Sequence, residues 1–278
     1  MKKVVNYVKD LIEEFQKDNI PLLGAAQAYY YLLSIVPMLI LLLSILPYLN
    51  ISAEAAMNTV TNFLPEDTAE VFRENIINVV DKPNGGLLTV GILGTLWSAS
   101  SGINAFIKSA NEAYDVEETR SFIKVRLLSI ILTLGMIIGF VVALALPVFG
   151  DVIIGAIDRT LNLPDQTVIF FQVLRWAIGI VVMSAILMAL YHFAPNKNIP
   201  FKHVLPGAII TSILWQVISL AFSFYVSNFG NYTATYGSLG GVIILMLWFF
   251  LTGIILMVGA EINVIYHRKH GGGASKAA

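Results

Sequence analysis

The sequence predicts an all-α integral membrane bundle of six transmembrane helices. An N-terminal amphipathic helix precedes the first, and a short extracytoplasmic helical insert lies between spans 1 and 2. Three observations predict this. Val204 to Ala260 runs 57 residues without one Asp, Glu, Lys or Arg; a helix crosses a bilayer with about 20 apolar residues, so this stretch holds two. The chain is 57% hydrophobic and only 13% charged, where soluble domains carry about 25% charged residues. Finally, the basic residues concentrate in alternate connections, as they do in multi-pass proteins.

Residues 1–20 place Val4, Val8, Leu11 and Phe15 at helical spacing, with Val5 and Ile12 beside them. Lys2, Lys9, Glu13, Glu14 and Lys17 fill the other face. Such a helix lies on the membrane or packs on the cytoplasmic loops. The first span covers about 22–49, with Pro37 inside it as a source of a kink. Its apolar run is too long for the core of a cleaved leader. Residues 50–85 are polar and acidic, and Pro65-Glu66-Asp67 opens a helical pattern with acids in its first turn.

The second span, 87–108, is rich in Gly, Ser and Ala, which let membrane helices approach closely. The third, 127–150, carries Gly135 and Gly139 four apart. The fourth, 167–193, includes Arg175. The fifth and sixth, 204–227 and 238–265, are separated by an uncharged polar break. Together, residues 1–270 read as one transmembrane domain and 271–278 as a disordered tail. Thirteen basic residues fall on the side of both termini and three on the other. Both termini are therefore expected in the cytoplasm.

Topology then converts position into depth, at about 1.5 Å per residue. Gln27, Tyr30, Asn104, Lys108, Glu261 and Asn263 fall in the inner third, and Gln216 lies near mid-depth. These residues are candidates for lining a substrate path that opens inward. The plainer alternative is an interfacial set, with Glu261 paired to Lys108 or a loop arginine. Tyr30, Asn104 and Lys108 are the neighbours expected for Glu261. Arg175 sits near the outer end, where it faces the bundle interior and an anionic group, or snorkels to headgroups.

Absences narrow the function. There is no cysteine, hence no thiolate metal site and no Cys nucleophile. No phosphate-binding G-x-x-x-x-G-K-[ST], H-E-x-x-H or G-x-S-x-G occurs. The four histidines show no metal-ligand spacing with carboxylates, and His267 and His270 read as part of a solvated basic end. No enzyme, cofactor or metal is expected, and a net charge of −1 gives no pull toward nucleic acid.

Three motifs bear a family resemblance. Ala25-Ala26-Gln27-Ala28-Tyr29-Tyr30 with Ser34 and Pro37 resembles the first span of the BrkB/YihY family of bacterial membrane proteins. Trp97-Ser98-Ala99-Ser100-Ser101-Gly102 and Asn111-Glu112-Ala113-Tyr114 resemble its second span and the following loop. Tyr236-Gly237-Ser238-Leu239-Gly240-Gly241, through Trp248 to Gly259-Ala260-Glu261-Ile262-Asn263, is similar to its last span. The resemblance covers nearly the whole chain. It implies a six-span bacterial inner-membrane protein, from a family once labelled ribonuclease BN, a tRNA-processing nuclease. Some members are associated with virulence or serum resistance, others with envelope lipid export. The absence of a metal constellation and of a basic RNA face argues against the nuclease label. The expected function is transport or flipping of an amphiphilic or lipidic envelope molecule, with membrane lipids and an anionic substrate as partners. The alternative is a non-transporting scaffold for envelope integrity.

Overall fold

The computed structural model describes residues 2–45, 48, 85–138, 165–229, 237 and 239–270. Among these residues it contains seven helices: α1 (Lys2–Lys17), α2 (Ile20–Ile45), α3 (Gly85–Ala113), α4 (122–138), α5 (Asp165–Phe193), α6 (Phe201–Phe229) and α7 (Leu239–His270). Four segments, Ile20–Met38, Gly85–Ala113, Phe201–Asn228 and Leu239–His270, are long and apolar enough to cross a membrane. The described apolar part of α5, Ala177–Phe193, is shorter. The insert up to residue 84, the far part of the third span and the tail fall outside the described residues. The full count of six spans therefore rests on the sequence.

The helix boundaries follow local chemistry. α1 and α2 are separated only by Asp18 and Asn19, and Asn19 has φ 48°, a left-handed conformation that a short polar side chain tolerates. Pro21 follows at the second position of α2, where a missing N–H costs nothing. α2 runs on through Pro37. α3 ends before Asp115, which also has positive φ.

The chain divides into two compact units, Tyr30–Ser101 on one side and Met1–Tyr29 with Gly102–Ala278 on the other. Within Tyr30–Ser101, α2 and α3 meet through small residues. A Cβ on Gly91 would lie 3.0 Å from the Leu41 backbone, and one on Gly94 would lie 3.3 Å from Pro37. Such surfaces bring membrane helices together by van der Waals packing.

The larger unit is centred on the second half of α7. Ile255, Leu256, Met257, Gly259, Ala260, Glu261, Asn263, Val264 and Ile265 are all buried, so this part of the helix is covered except along a half-buried stripe at Ile254, Val258 and Ile262. Around it pack Phe106 and Ile107 of α3, Leu190 and Tyr191 of α5, and Val204 and Ala208 of α6. Toward its other end α7 leaves Leu239, Val242, Leu245 and Met246 uncovered by protein, as α6 leaves Val217, Leu220 and Phe224. Apolar faces of this kind suit contact with lipid in a membrane protein. α1 splits its apolar residues. Phe15 packs on the core, whereas Val5, Val8 and Ile12 stay uncovered. Both expectations for α1, protein and membrane surface, thus have a face to serve them.

Candidate functional site

Glu261 and Asn263 are both fully buried, yet they serve different neighbours. Two residues apart on a helix of 3.6 residues per turn, they point about 200° away from each other. Asn263 faces α6, where its Oδ1 accepts a hydrogen bond from the Gly207 N–H at 2.8 Å. Glu261 faces α1. There Glu14, Asp18 and Glu261 each present a carboxylate oxygen, and the three oxygens lie within 4.8 Å of one another. Neither oxygen of Glu261 accepts a hydrogen bond, and Asp18 Oδ2 and Glu14 Oε2 likewise have no hydrogen-bond donor. A bond between Asp18 and Glu261 requires a proton on one of them, since an ionised carboxylate only accepts.

Basic residues approach this trio from its rim. Arg268 binds Glu14 through Nη1 and reaches Asp115 through Nη2 at 2.9 Å. Lys17 Nζ lies 3.5 Å from Glu14 and 3.7 Å from Asp18. Burial opposes the charge on Lys17, but Asp18, Glu14 and Asp115 together hold its pKa above the ordinary lysine value. One turn back on α1, Asp10 pairs with Lys269, whose ammonium also sits 3.8 Å over the Tyr7 ring. Asp10, Glu14 and Asp18 are spaced by four, so they form one acidic stripe facing α7. The Tyr114 hydroxyl is buried without a hydrogen-bond partner. Burial first, and the Glu261 charge second, raise its pKa.

A hydroxyl network ties α5, α6 and α7 together. Ser184 and Ser212 are 3.0 Å apart, Tyr191 and Thr211 2.9 Å, and the Tyr191 hydroxyl donates to the Leu256 carbonyl at 2.9 Å. His203 and His267 meet through their Nδ1 atoms at 2.8 Å, so one ring donates and the other accepts. His267 is therefore partly buried in a pair, not a member of a solvated tail. Beside these, Asn111 accepts from the Asn196 N–H at 2.6 Å and donates to Glu118. Glu118 holds Arg120, which donates to the carbonyls of Phe193 and Ala194 at the end of α5.

Further along α6 and α7 lies a cleft of about 380 Å³ lined by Trp215, Gln216, Ser219, Leu220, Phe222, Ser223 and Trp248. Trp248 stacks at a tilt against Trp215 and Phe222, with centroids 5.7 and 5.5 Å apart. The walls are aromatic, with one amide and two hydroxyls among them.

The expected site residues therefore separate. Gln27, Glu261 and Asn263 are buried, Asn104 is half-buried and Lys108 is exposed. Gln216 belongs to the cleft. Tyr30 is partly exposed in the smaller unit, and the Arg175 side chain falls outside the described residues. Lys108 does not hydrogen-bond Glu261, whose neighbours are instead Glu14 and Asp18. The sequence pattern puts Glu14 on the solvated face of α1 and does not single out Asp18, Tyr191 or Thr211. The four-residue spacing of Asp10, Glu14 and Asp18 was the available signal.

Residues 11–278 match the family model described as Virulence factor BrkB. The chain belongs to that family. Among its relatives is a Bacillus subtilis (strain 168) protein named ribonuclease-like protein YfkH, 40% identical over 265 residues, covering 95% of this chain and 96% of that one. The UPF0761 membrane protein VV0203 of Vibrio vulnificus (strain YJ016) is 28% identical, covering 96% and 84%. A UPF0761 membrane protein of Photobacterium profundum is 29% identical, covering 95% and 81%. No solved structure matches. This BrkB-family chain is a membrane protein, and its similarity to proteins with two kinds of name makes the site geometry the guide to function.

Proposed function

We propose that this protein moves or flips an amphiphilic or lipidic envelope molecule across the bacterial cytoplasmic membrane, with both termini in the cytoplasm. The observation that carries the reading is the cleft between α6 and α7. Its tryptophans and phenylalanine match an acyl or isoprenoid chain, while Gln216, Ser219 and Ser223 can receive a polar group at membrane depth. Arg175, near the outer end of its span, supplies an anion-seeking group for a headgroup. This reading leaves out RNA processing, since a net charge of −1 gives no overall pull toward nucleic acid.

The test uses purified protein in liposomes containing fluorescent phospholipids of several headgroups and a fluorescent polyisoprenyl phosphate. Wild type should translocate at least one of them faster than protein-free liposomes. Trp248→Ala and Gln216→Leu should slow it while remaining folded. Rates equal to protein-free liposomes for every probe would overturn the reading and leave the scaffold. That second reading is favoured by close backbone packing, since a Cβ on Gly253 would lie 2.7 Å from the Gly24 carbonyl oxygen.

A further inference from the structure

We infer that Glu14, Asp18 and Glu261 form a binding site for one hard divalent cation of the Mg²⁺, Mn²⁺ or Ca²⁺ class, which fastens α1 to α7. This goes beyond the movement of any lipid and does not depend on it.

Two independent observations carry the inference. The first is geometric. Oxygen ligands of a hard cation lie about 2.0–2.6 Å from the metal, so two of them on one ion are at most about 5 Å apart. The three carboxylate oxygens, within 4.8 Å of one another, meet that limit while belonging to α1, the α1–α2 turn and α7. Oxygen-only ligands select hard ions over zinc or copper. The second is the unpartnered polar groups gathered there. Glu261 is 0% exposed with no donor for either oxygen, and Tyr114, 5% exposed on a different element, has a hydroxyl with no partner beside the Glu261 charge. A buried carboxylate with no donor of its own, facing two further acids, is a costly arrangement for a protein to hold.

Charge decides the valence. The acids gathered here are Glu14, Asp18, Asp115 and Glu261; the bases are Lys17 and Arg268. With all four acids ionised, as metal binding requires, four against two leaves two negative charges, which one divalent ion neutralises. Lys17 and Arg268 then act on the outer edges of Glu14 and Asp18 and orient them, as partners of metal ligands do.

The test uses the full chain in detergent, freed of metal, with Mn²⁺ as the probe. Electron paramagnetic resonance should show one saturable Mn²⁺ per chain, displaced by Mg²⁺ or Ca²⁺, and the melting temperature should rise with Mn²⁺. Glu261→Gln and Asp18→Asn should each weaken binding by about tenfold or more. Glu261→Gln removes a negative charge without changing shape, so the metal-free variant should melt above metal-free wild type and no longer respond to Mn²⁺. Asp10→Asn, one turn along the same stripe, should bind as wild type does. Absence of saturable Mn²⁺ in wild type overturns the inference, as does unchanged binding by both site variants. Stability that follows pH but not Mn²⁺ assigns protons to the trio and equally overturns it.

Discussion

The Gly207 backbone N–H donates to the Asn263 side chain across the α6–α7 contact, and no atom fits between the two helices there. A Cβ on Gly207 would stand 2.2 Å from the Gly259 carbonyl oxygen and 2.4 Å from Asn263 Oδ1. Pro206 precedes this glycine inside α6, so the helix is tolerant of an irregular bond where α7 supplies the acceptor.

Gly207→Ala should therefore destabilise by about 3 kcal/mol or more, because backbone rather than a flexible side chain must move. Asn263→Leu should cost about 1–2 kcal/mol by leaving a buried N–H without its acceptor. Thermal unfolding in detergent measures both. A Gly207→Ala protein that melts with wild type would mean that the two helices do not approach this closely.

Glu118 links pH to stability. Hydrogen bonding from Arg120 holds its pKa below the ordinary glutamate value, partial burial opposes this, and Asn111 adds to the lowering. A lowered folded-state value means that stabilisation is complete above the unfolded glutamate pKa, about 4.3. It is lost as pH falls further through the folded value. Melting temperature between pH 7 and pH 3.5 should fall less steeply in Glu118→Gln than in wild type. At pH 7 that variant should lose ~1 kcal/mol, as expected of a partly exposed pair. Parallel pH profiles for the two proteins would remove Glu118 from this role.

Orientation can be read with single cysteines, since the native chain has none. An impermeant thiol reagent applied to intact cells should label Asp67→Cys and Tyr232→Cys. It should spare Glu117→Cys and Asn198→Cys, although both positions are exposed. The reverse pattern would invert the chain and every depth derived from it.

Arg175 should report on an anionic headgroup. Arg175→Lys keeps the charge and loses the planar fork, so lipid translocation should fall partly. Arg175→Ala should fall further, by about tenfold, which corresponds to ~1.4 kcal/mol. Wild-type rates in both variants, with normal abundance, would make Arg175 an interfacial anchor.

What could be read from the sequence was which polar residues sit inside apolar helices. Hydropathy marks where a helix enters apolar surroundings, and polar residues inside such a run are rare enough to notice. This is why Gln27, Glu261 and Asn263 could be picked out as candidates, and all three are buried. Azimuth was not legible. The sequence assigns Tyr30, Asn104 and Lys108 to the same inner third as Glu261, but side-chain direction around a helix is set by packing, and Lys108 turns outward. Glu14 resembled a solvated face, and Asp18 drew no notice, because their counterpart Glu261 is distant in sequence, on α7. Tyr191 and Thr211 were passed over because hydroxyls hardly disturb an apolar run. Arg175 and the insert belong to the sequence reading alone.

The contact between α1 and α7 also fixes an order of events during biosynthesis. Lys269 and Asp10 are 259 positions apart, and a chain is made at about 5–20 residues per second. For many seconds the acidic stripe of α1 therefore lacks its counterpart, which is made after every other described helix. Closure of that contact can occur only after every intervening segment has been made. A ribosome stalled before residue 239 leaves α1 undocked, so the latch between the two helices closes only on a chain made through α7.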